Sequence, residues 1–291
     1  MDDFREGRCR ERGLMLKRIV LFTALMVFSA AVAHGAPVGN IADPAMLYRG
    51  VLSDERPYGL VLGFEYDWNT TRAFKNQQNK DYELNIAEIK LGAIIRKSIF
   101  LYGLFGQGQY SDKKDPNKYK TRDGIDYLQF KTDPGIVYGA GITAIMYEQK
   151  VEDGVFLRVG MNAQYRRSEF ETDDADLFLT RFNPAIPTQR EDRAIPNTNY
   201  ELEFDEYHVA LEVSYQIDDA VPYLGFRVSE GRGNEVINPP EYENYDNRIL
   251  AERNKGYIVG FTYYFFDKCS LGIEGRLGDE DALTMSALVR F

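Results

Sequence analysis

Five side chains carry most of the reactive chemistry this sequence offers: Glu65, Asp67, Glu88, Glu206 and His208. A histidine beside a carboxylate can take a proton from water as a general base, and acids facing it can hold the attacked group. Glu206 lies two residues before His208, so an extended chain turns both to one side. A polar histidine in a charged rim explains the same residues without any catalysis. Other chemistries find less support. Two Cys and two His cannot build the clustered nitrogen and sulfur ligands of zinc. Asp173-Asp174-Ala175-Asp176 and the Asp112/Asp115 pair lack the ligand spacing of a calcium loop. Gly106-Gln107-Gly108 and Gly139-Ala140-Gly141 precede no helix start, so they mark bends or close packing in strands rather than a phosphate cradle. Neither a metal nor a cofactor is expected.

The elements that must position these residues emerge from composition and spacing. Among 291 residues, 35 are Lys or Arg and 45 are Asp or Glu, a net charge of −10 that lacks the basic footprint of a nucleic-acid binder. Tyr 20, Phe 18 and Gly 25 suit an all-β chain. One long apolar run exists. Lys17 and Arg18 precede Ile19–Ala31, and Ala31-Val32-Ala33 supplies small residues for cleavage, so residues 1–33 read as a secretory signal peptide. Its functional start is expected at Met15, with 1–14 an over-long beginning, and 34–57 as a short periplasmic lead. Cleavage after Ala33 leaves 29 basic and 41 acidic residues, about −12, and removes Cys9. Cys269 then has no intramolecular partner.

From residue 58 onward apolar and polar residues alternate, the period of a strand with two unlike faces. Leu60, Leu62, Phe64, Tyr66 and Trp68 oppose Val61, Gly63, Glu65 and Asp67; Tyr207 to Ile217 shows the same pattern against His208, Ala210, Glu212, Ser214 and Gln216. Ten strands are predicted, near 59–68, 86–95, 99–110, 135–147, 155–165, 207–217, 221–229, 256–266, 270–277 and 282–291. Tight turns at 96–97, 152–154, 218–220 and 267–268 alternate with long polar segments at 70–82, 111–133, 168–204 and 230–254, closed by a short 278–281 link. Short turns at one end and long loops at the other, with an even strand count, define a transmembrane antiparallel β-barrel. In lipid every backbone group must be paired, so such a sheet closes on itself. Twelve strands result if 126–131 or 176–182 pair as well. Tyr58, Trp68, Tyr110, Tyr165, Tyr207, Tyr215 and Phe291 are expected in the interfacial girdles. The polar faces then look inward. Counting back from the turns places Glu212 level with Arg227 as an ion pair, and Thr143 beside Asn162.

The last strand sharpens the reading. Leu283, Met285, Ala287, Val289 and Phe291 share a face and the chain stops on an aromatic. Here the sequence resembles the bacterial outer-membrane β-barrel class. That resemblance implies that Val289 and Phe291 form the signal read by the barrel assembly machinery. Residues 36–50, APVGNIADPAMLYRG, resemble the mature start of the chlamydial major outer membrane protein family of porins, which are longer, Cys-rich and use more strands. Glu65, Asp67, Glu206 and His208 are similar in arrangement to the acids and histidine of omptins, ten-stranded surface proteases. Glu206 and Glu65 stand where that family has Asp.

The chain is thus expected to be an integral barrel over 58–291 in the outer membrane of a Gram-negative-type cell, in contact with lipid, lipopolysaccharide and the assembly machinery, and not an enzyme. Its function is read as a porin-like narrow channel for small solutes or ions, or a passive structural barrel. Alternatives are an omptin-like protease and an adhesin acting through long loops. Glu88, Lys90, Arg158, Arg166, Glu212, Arg227, Glu274 and Arg276, with Arg290 further along, are the expected lumen charges, setting selectivity by the logic of charged pore rings. Ten strands lie near the closed end of barrel widths, since about eight are filled by side chains and 16–18 leave a water channel.

Overall fold

The structure, a computed structural model, describes residues 58–73, 81–95, 98–112, 130–182, 190–238, 245–251, 254–265 and 269–291. The expected signal peptide and the 34–57 lead lie outside the described residues, as do the side chains of the Asp112/Asp115 and Asp173–Asp176 groups.

Twelve strand segments follow the chain: β1 (Tyr58–Ala73), β2 (Asp81–Ile95), β3 (Ile99–Asp112), β4 (Phe130–Lys131), β5 (Gly135–Glu152), β6 (Val155–Phe182), β7 (Arg190–Ile217), β8 (Ala220–Asn238), β9 (Tyr245–Leu250), β10 (Lys255–Phe265), β11 (Cys269–Leu277) and β12 (Asp281–Arg290). Ten of them form the wall, each antiparallel to its neighbours, and β12 pairs with β1 while β10 pairs with β8, so the sheet closes. β4 and β9 are short additions, paired to β3 and to the outer part of β8. The chain therefore makes a ten-stranded barrel. The segment 130–131 adds only a two-residue edge, and 176–182 continues β6 rather than adding a strand.

The alternation has the physical outcome that a lipid solvent demands. Leu60, Leu91, Leu211, Leu224 and Met285 stand 50–64% exposed on the outer wall, while the residues between them are buried in the lumen. On β6 the outward apolar run from Val155 to Tyr165 spans about 25 Å along the barrel axis at the usual rise and tilt, which matches a bilayer. Tyr165 stacks on Tyr207 with ring centroids 4.9 Å apart, and Trp68 is 52% exposed, as girdle residues should be. Tyr110 departs from that expectation. It points into the lumen, 3% exposed and stacked near Phe170 and Tyr200, because Gly108 and Tyr110 share the inward face of β3. Beyond the girdle, β6 and β7 remain paired through Phe182↔Arg190. The segment expected as a 168–204 loop is in fact the outer part of a hairpin formed by two 28-residue strands.

The near-end turns are tight. Asp218 (φ 51°) and Gly154 (φ 77°) occupy left-handed conformations, and Asp218 N–H donates to the Gly154 carbonyl at 2.8 Å, stitching neighbouring hairpins together. Asp218-Asp219 closes a two-residue turn that pairs Ile217 with Ala220. This sets Glu212 opposite Gly225 and Ala210 opposite Arg227, two residues from the expected Glu212–Arg227 alignment. A slip of two keeps every side chain on its face but changes its partner. Thr143 does face Asn162, whose amide donates to the Thr143 hydroxyl at 2.8 Å.

Candidate functional site: the charged lumen

The lumen is layered. At the end of the short turns, Val61, Ile94, Phe100, Tyr102, Leu104, Val221, Tyr264 and Leu288 form one buried apolar cluster. Toward the opposite end Leu84, Ile86, Tyr110, Val137, Phe170, Tyr200, Leu202, Phe204 and Ile249 form another. Between them runs a belt of charge. Inward glycines make room for large side chains: a Cβ on Gly141 would lie 2.3 Å from the Tyr102 ring, and one on Gly260 would lie 2.1 Å from that of Tyr223.

Arg166 is the crossbar of the belt. It projects from β6, donates from Nε and Nη2 to Glu206 of adjacent β7 at 2.8 and 2.5 Å, and reaches across the lumen with Nη1 to Asp67 of β1 at 3.1 Å and Glu88 of β2 at 3.4 Å. Asp67 is shared: Arg276 of β11 lies 3.5 Å away, and the Thr284 hydroxyl donates to it at 2.7 Å. Lys90 pairs with Glu65 and sits 4.5 Å over the Tyr102 ring. Arg276 also reaches Glu274 at 3.2 Å and Glu280 at 3.4 Å. Arg227 is held by Asp279 at 2.8 Å and Glu280 at 2.6 Å. Nearer the short turns, Arg158 donates to Glu148 and to Gln216, each at 2.6 Å. All eight expected lumen residues are buried, and Arg290 lies on the lumen side beside Gly59.

Charge within the lumen is unbalanced. Among the described residues Glu65, Asp67, Glu88, Glu206, Glu212, Glu235, Glu274, Asp279 and Glu280 are buried acids, nine against the five buried cations Lys90, Arg158, Arg166, Arg227 and Arg276. Outside the membrane band Arg167 lies 2.7 Å from Glu169 and 2.8 Å from Glu203, and its hydrogen bond, seconded by one from Tyr138, holds the Glu169 carboxyl below its usual range.

Four lumen acids, Glu235, Glu148, Asp279 and Glu280, are not among those the sequence points to. Asp279 and Glu280 sit in the shortest link on the long-loop side, where Gly278 (φ 107°) turns the chain sharply and tucks both carboxylates inward. Inward Arg276, which the expected pairings leave without an acid, was the available signal. Glu148 faces inward because a bulge between Ile145 and Tyr147 shifts the alternation of β5 by one residue.

The catalytic expectation meets a different geometry. Glu65, Asp67, Glu206 and His208 do all face the lumen. Yet Glu206 is bound through two nitrogens to Arg166, and Arg166 fills the space between Glu206 and Asp67. His208 stands opposite Ser229, whose hydroxyl donates to Asp279 at 2.5 Å. A cavity of about 360 Å³ adjoins His208 and Ser229, bounded also by Tyr207, Val228, Leu250 and Asn254 where β9 gives way to β10.

No family model matches the chain. It is similar to the major outer membrane porin, serovar B, of Chlamydia trachomatis, 19% identical over 400 aligned positions that cover 95% of this chain and 99% of that one. It is also similar to outer membrane protein B of Chlamydia trachomatis serovar D, 21% identical over 215 positions, 70% of this chain and 58% of the other. Among solved structures, the outer membrane protease OmpT from Escherichia coli aligns with a TM-score of 0.44 and 13% identity, over 83% of this chain and all of that one. An apolar outer wall, a closed ten-stranded sheet and likeness to outer-membrane porins along nearly the whole chain together define an integral outer-membrane β-barrel, resident in the outer membrane of a Gram-negative-type cell.

Proposed function

We propose that this barrel is a narrow, porin-like channel for small ions, with cations favoured. The carrying observation is the set of nine buried acids and five buried cations in the described lumen. Each buried charge costs several kcal/mol to desolvate. A barrel needed only as a wall filler could hold apolar side chains there, as it does above and below the belt. Likeness to a major outer membrane porin of Chlamydia trachomatis supports the same reading. Planar-bilayer conductance of the refolded protein, first checked for heat-modifiable migration on a gel, is the test. Small discrete steps with a reversal potential toward the cation Nernst value are expected under a KCl gradient. Silence from a folded barrel refutes the channel and leaves a structural barrel.

The bridge that Arg166 makes from Glu206 to Asp67 argues against the protease alternative, because it takes up the carboxylate that would have to orient His208. An adhesive role for the β6–β7 hairpin, in which β6 continues beyond Tyr165 to Phe182, is the second reading. Removing 173–198 should abolish whole-cell binding to a host surface only on that reading. Residues 1–33 act as the export signal, and Val289 with Phe291, 37% and 73% exposed on the outer wall, as the assembly signal. Deleting Phe291 should lower the folded outer-membrane fraction several-fold without affecting export.

A further inference from the structure

Glu65 and Glu88 are directly opposed residues of β1 and β2, both inward, at 3% and 1% exposure. Residues so paired bring their Cβ atoms within about 5.5 Å, and like charges there repel. Each carboxylate uses one oxygen. Glu65 Oε1 takes the Lys90 ammonium and Glu88 Oε1 faces Arg166 Nη1 at 3.4 Å. The second oxygen of each, Oε2, is buried with no hydrogen-bond partner among the described residues. Lys90 and Arg166 do not balance the neighbourhood. Arg166 divides its charge among Glu206, Asp67 and Glu88, and Arg276, the next cation along, also serves Glu274 and Glu280. Four carboxylates of the described lumen are in excess over its buried cations, which makes it attractive to a further positive charge.

We propose that Glu65 and Glu88 form a binding site for one singly charged alkali cation, held between their free oxygens. The inference rests on the channel reading and supplies its selectivity step, since a site in mid-lumen is where a permeating ion would pause. The class of ion follows from the ligands. Among the described residues no three Asp, Glu, His or Cys side chains converge as a metal centre, so a divalent or transition ion lacks its coordination shell. Two carboxylate oxygens and a deficit of positive charge suit sodium or potassium. Gly106 faces Glu88 across the β2–β3 pair, where a Cβ would lie 2.1 Å from the Ala87 carbonyl oxygen, so β3 packs backbone to backbone against the strand that carries Glu88.

The test is thermal unfolding of the refolded barrel in detergent, in sodium or potassium chloride against choline chloride at equal ionic strength, because choline is too large for a buried site. The midpoint should rise by about 2–4 °C in the alkali salts, and the rise should vanish in Glu88→Gln and in the Glu65→Gln/Glu88→Gln pair. Glu203→Gln, an exposed outer-wall control, should keep it. Glu88→Gln leaves Arg166 its pairs with Glu206 and Asp67, so that variant retains its crossbar. A midpoint indifferent to the alkali ion but rising as pH falls would show that the pair holds a proton and would overturn the proposal, as would no response to either. The readout is independent of current, so a silent bilayer with an intact alkali effect would refute the channel alone.

Discussion

Replacing Arg166 with alanine should be the most disruptive single change in the lumen. The guanidinium makes three charge-assisted contacts at 2.5–3.1 Å, two to Glu206 and one to Asp67, with Glu88 at 3.4 Å, and it is fully buried. Gross, three such bonds amount to about 4.5–9 kcal/mol. Part of that is offset by the desolvation that alanine no longer incurs, so the expected net loss is about 3–5 kcal/mol, the usual penalty for leaving buried carboxylates without their partner. Glu88 and Glu206 suffer most, since Asp67 keeps Arg276 and Thr284. Arg166→Lys retains charge but cannot fork, and should lose about half as much. Adding Glu206→Ala to Arg166→Ala should restore part of the stability, because it removes one of the stranded acids. The assay is urea unfolding in lipid vesicles, followed by heat-modifiable migration and tryptophan fluorescence from Trp68. Loss of the crossbar should also raise single-channel conductance at least two-fold. An unchanged midpoint together with unchanged current would refute the crossbar argument outright.

Three further outcomes follow from the same structure. Leu91→Arg, on the outer wall at 63% exposure, should cost about 2–4 kcal/mol in vesicle refolding if it faces the hydrocarbon, and nothing if that wall is wet. Tyr102→Phe removes a hydroxyl that donates to Gln164 at 2.8 Å and accepts from Asn162 at 3.2 Å, with an expected loss of about 1–3 kcal/mol by the same urea titration. His208→Ala should leave hydrolysis of fluorogenic peptides at the background of a protein-free control, as wild type does; a signal in wild type that the variant loses would revive the protease reading.

How much of this was legible in the sequence depended on which solvent each face meets. β1 and β7 alternate cleanly because one face touches lipid and the other touches the charged belt, and there the inward set, Glu65 and Asp67 or Glu206, His208 and Glu212, was read correctly. β3 alternates poorly because it is apolar on both sides: Leu101 and Phe105 face lipid while Phe100, Tyr102 and Leu104 build the inner apolar cluster. The same cause misplaced Tyr110. The 168–204 segment looked like a loop because, outside the bilayer, its outward face is charged and its composition polar. Phe170, Tyr200, Leu202 and Phe204, all inward, were the strand signature within it. The Glu212–Arg227 pairing failed for a local reason. The left-handed Asp218 shortens the turn, and an even shift leaves the hydrophobic pattern indifferent to it.

The belt's position between two apolar layers explains why so much charge can be kept in so narrow a barrel. Isolated, each carboxylate would lower its cost by drawing in water. The apolar clusters at either end narrow that route, so most of the neutralisation comes from the side chains within. That accounts for the recruitment of Asp279 and Glu280 from a turn, of Glu148 through a bulge, and of Arg166 from the far wall. The two layers differ in how they are anchored. The inner one hangs on strands joined by tight turns. The outer one takes Phe170, Tyr200, Leu202 and Phe204 from the part of β6–β7 that continues into the projecting hairpin. The outer layer is therefore tied to the hairpin by the strands the two share.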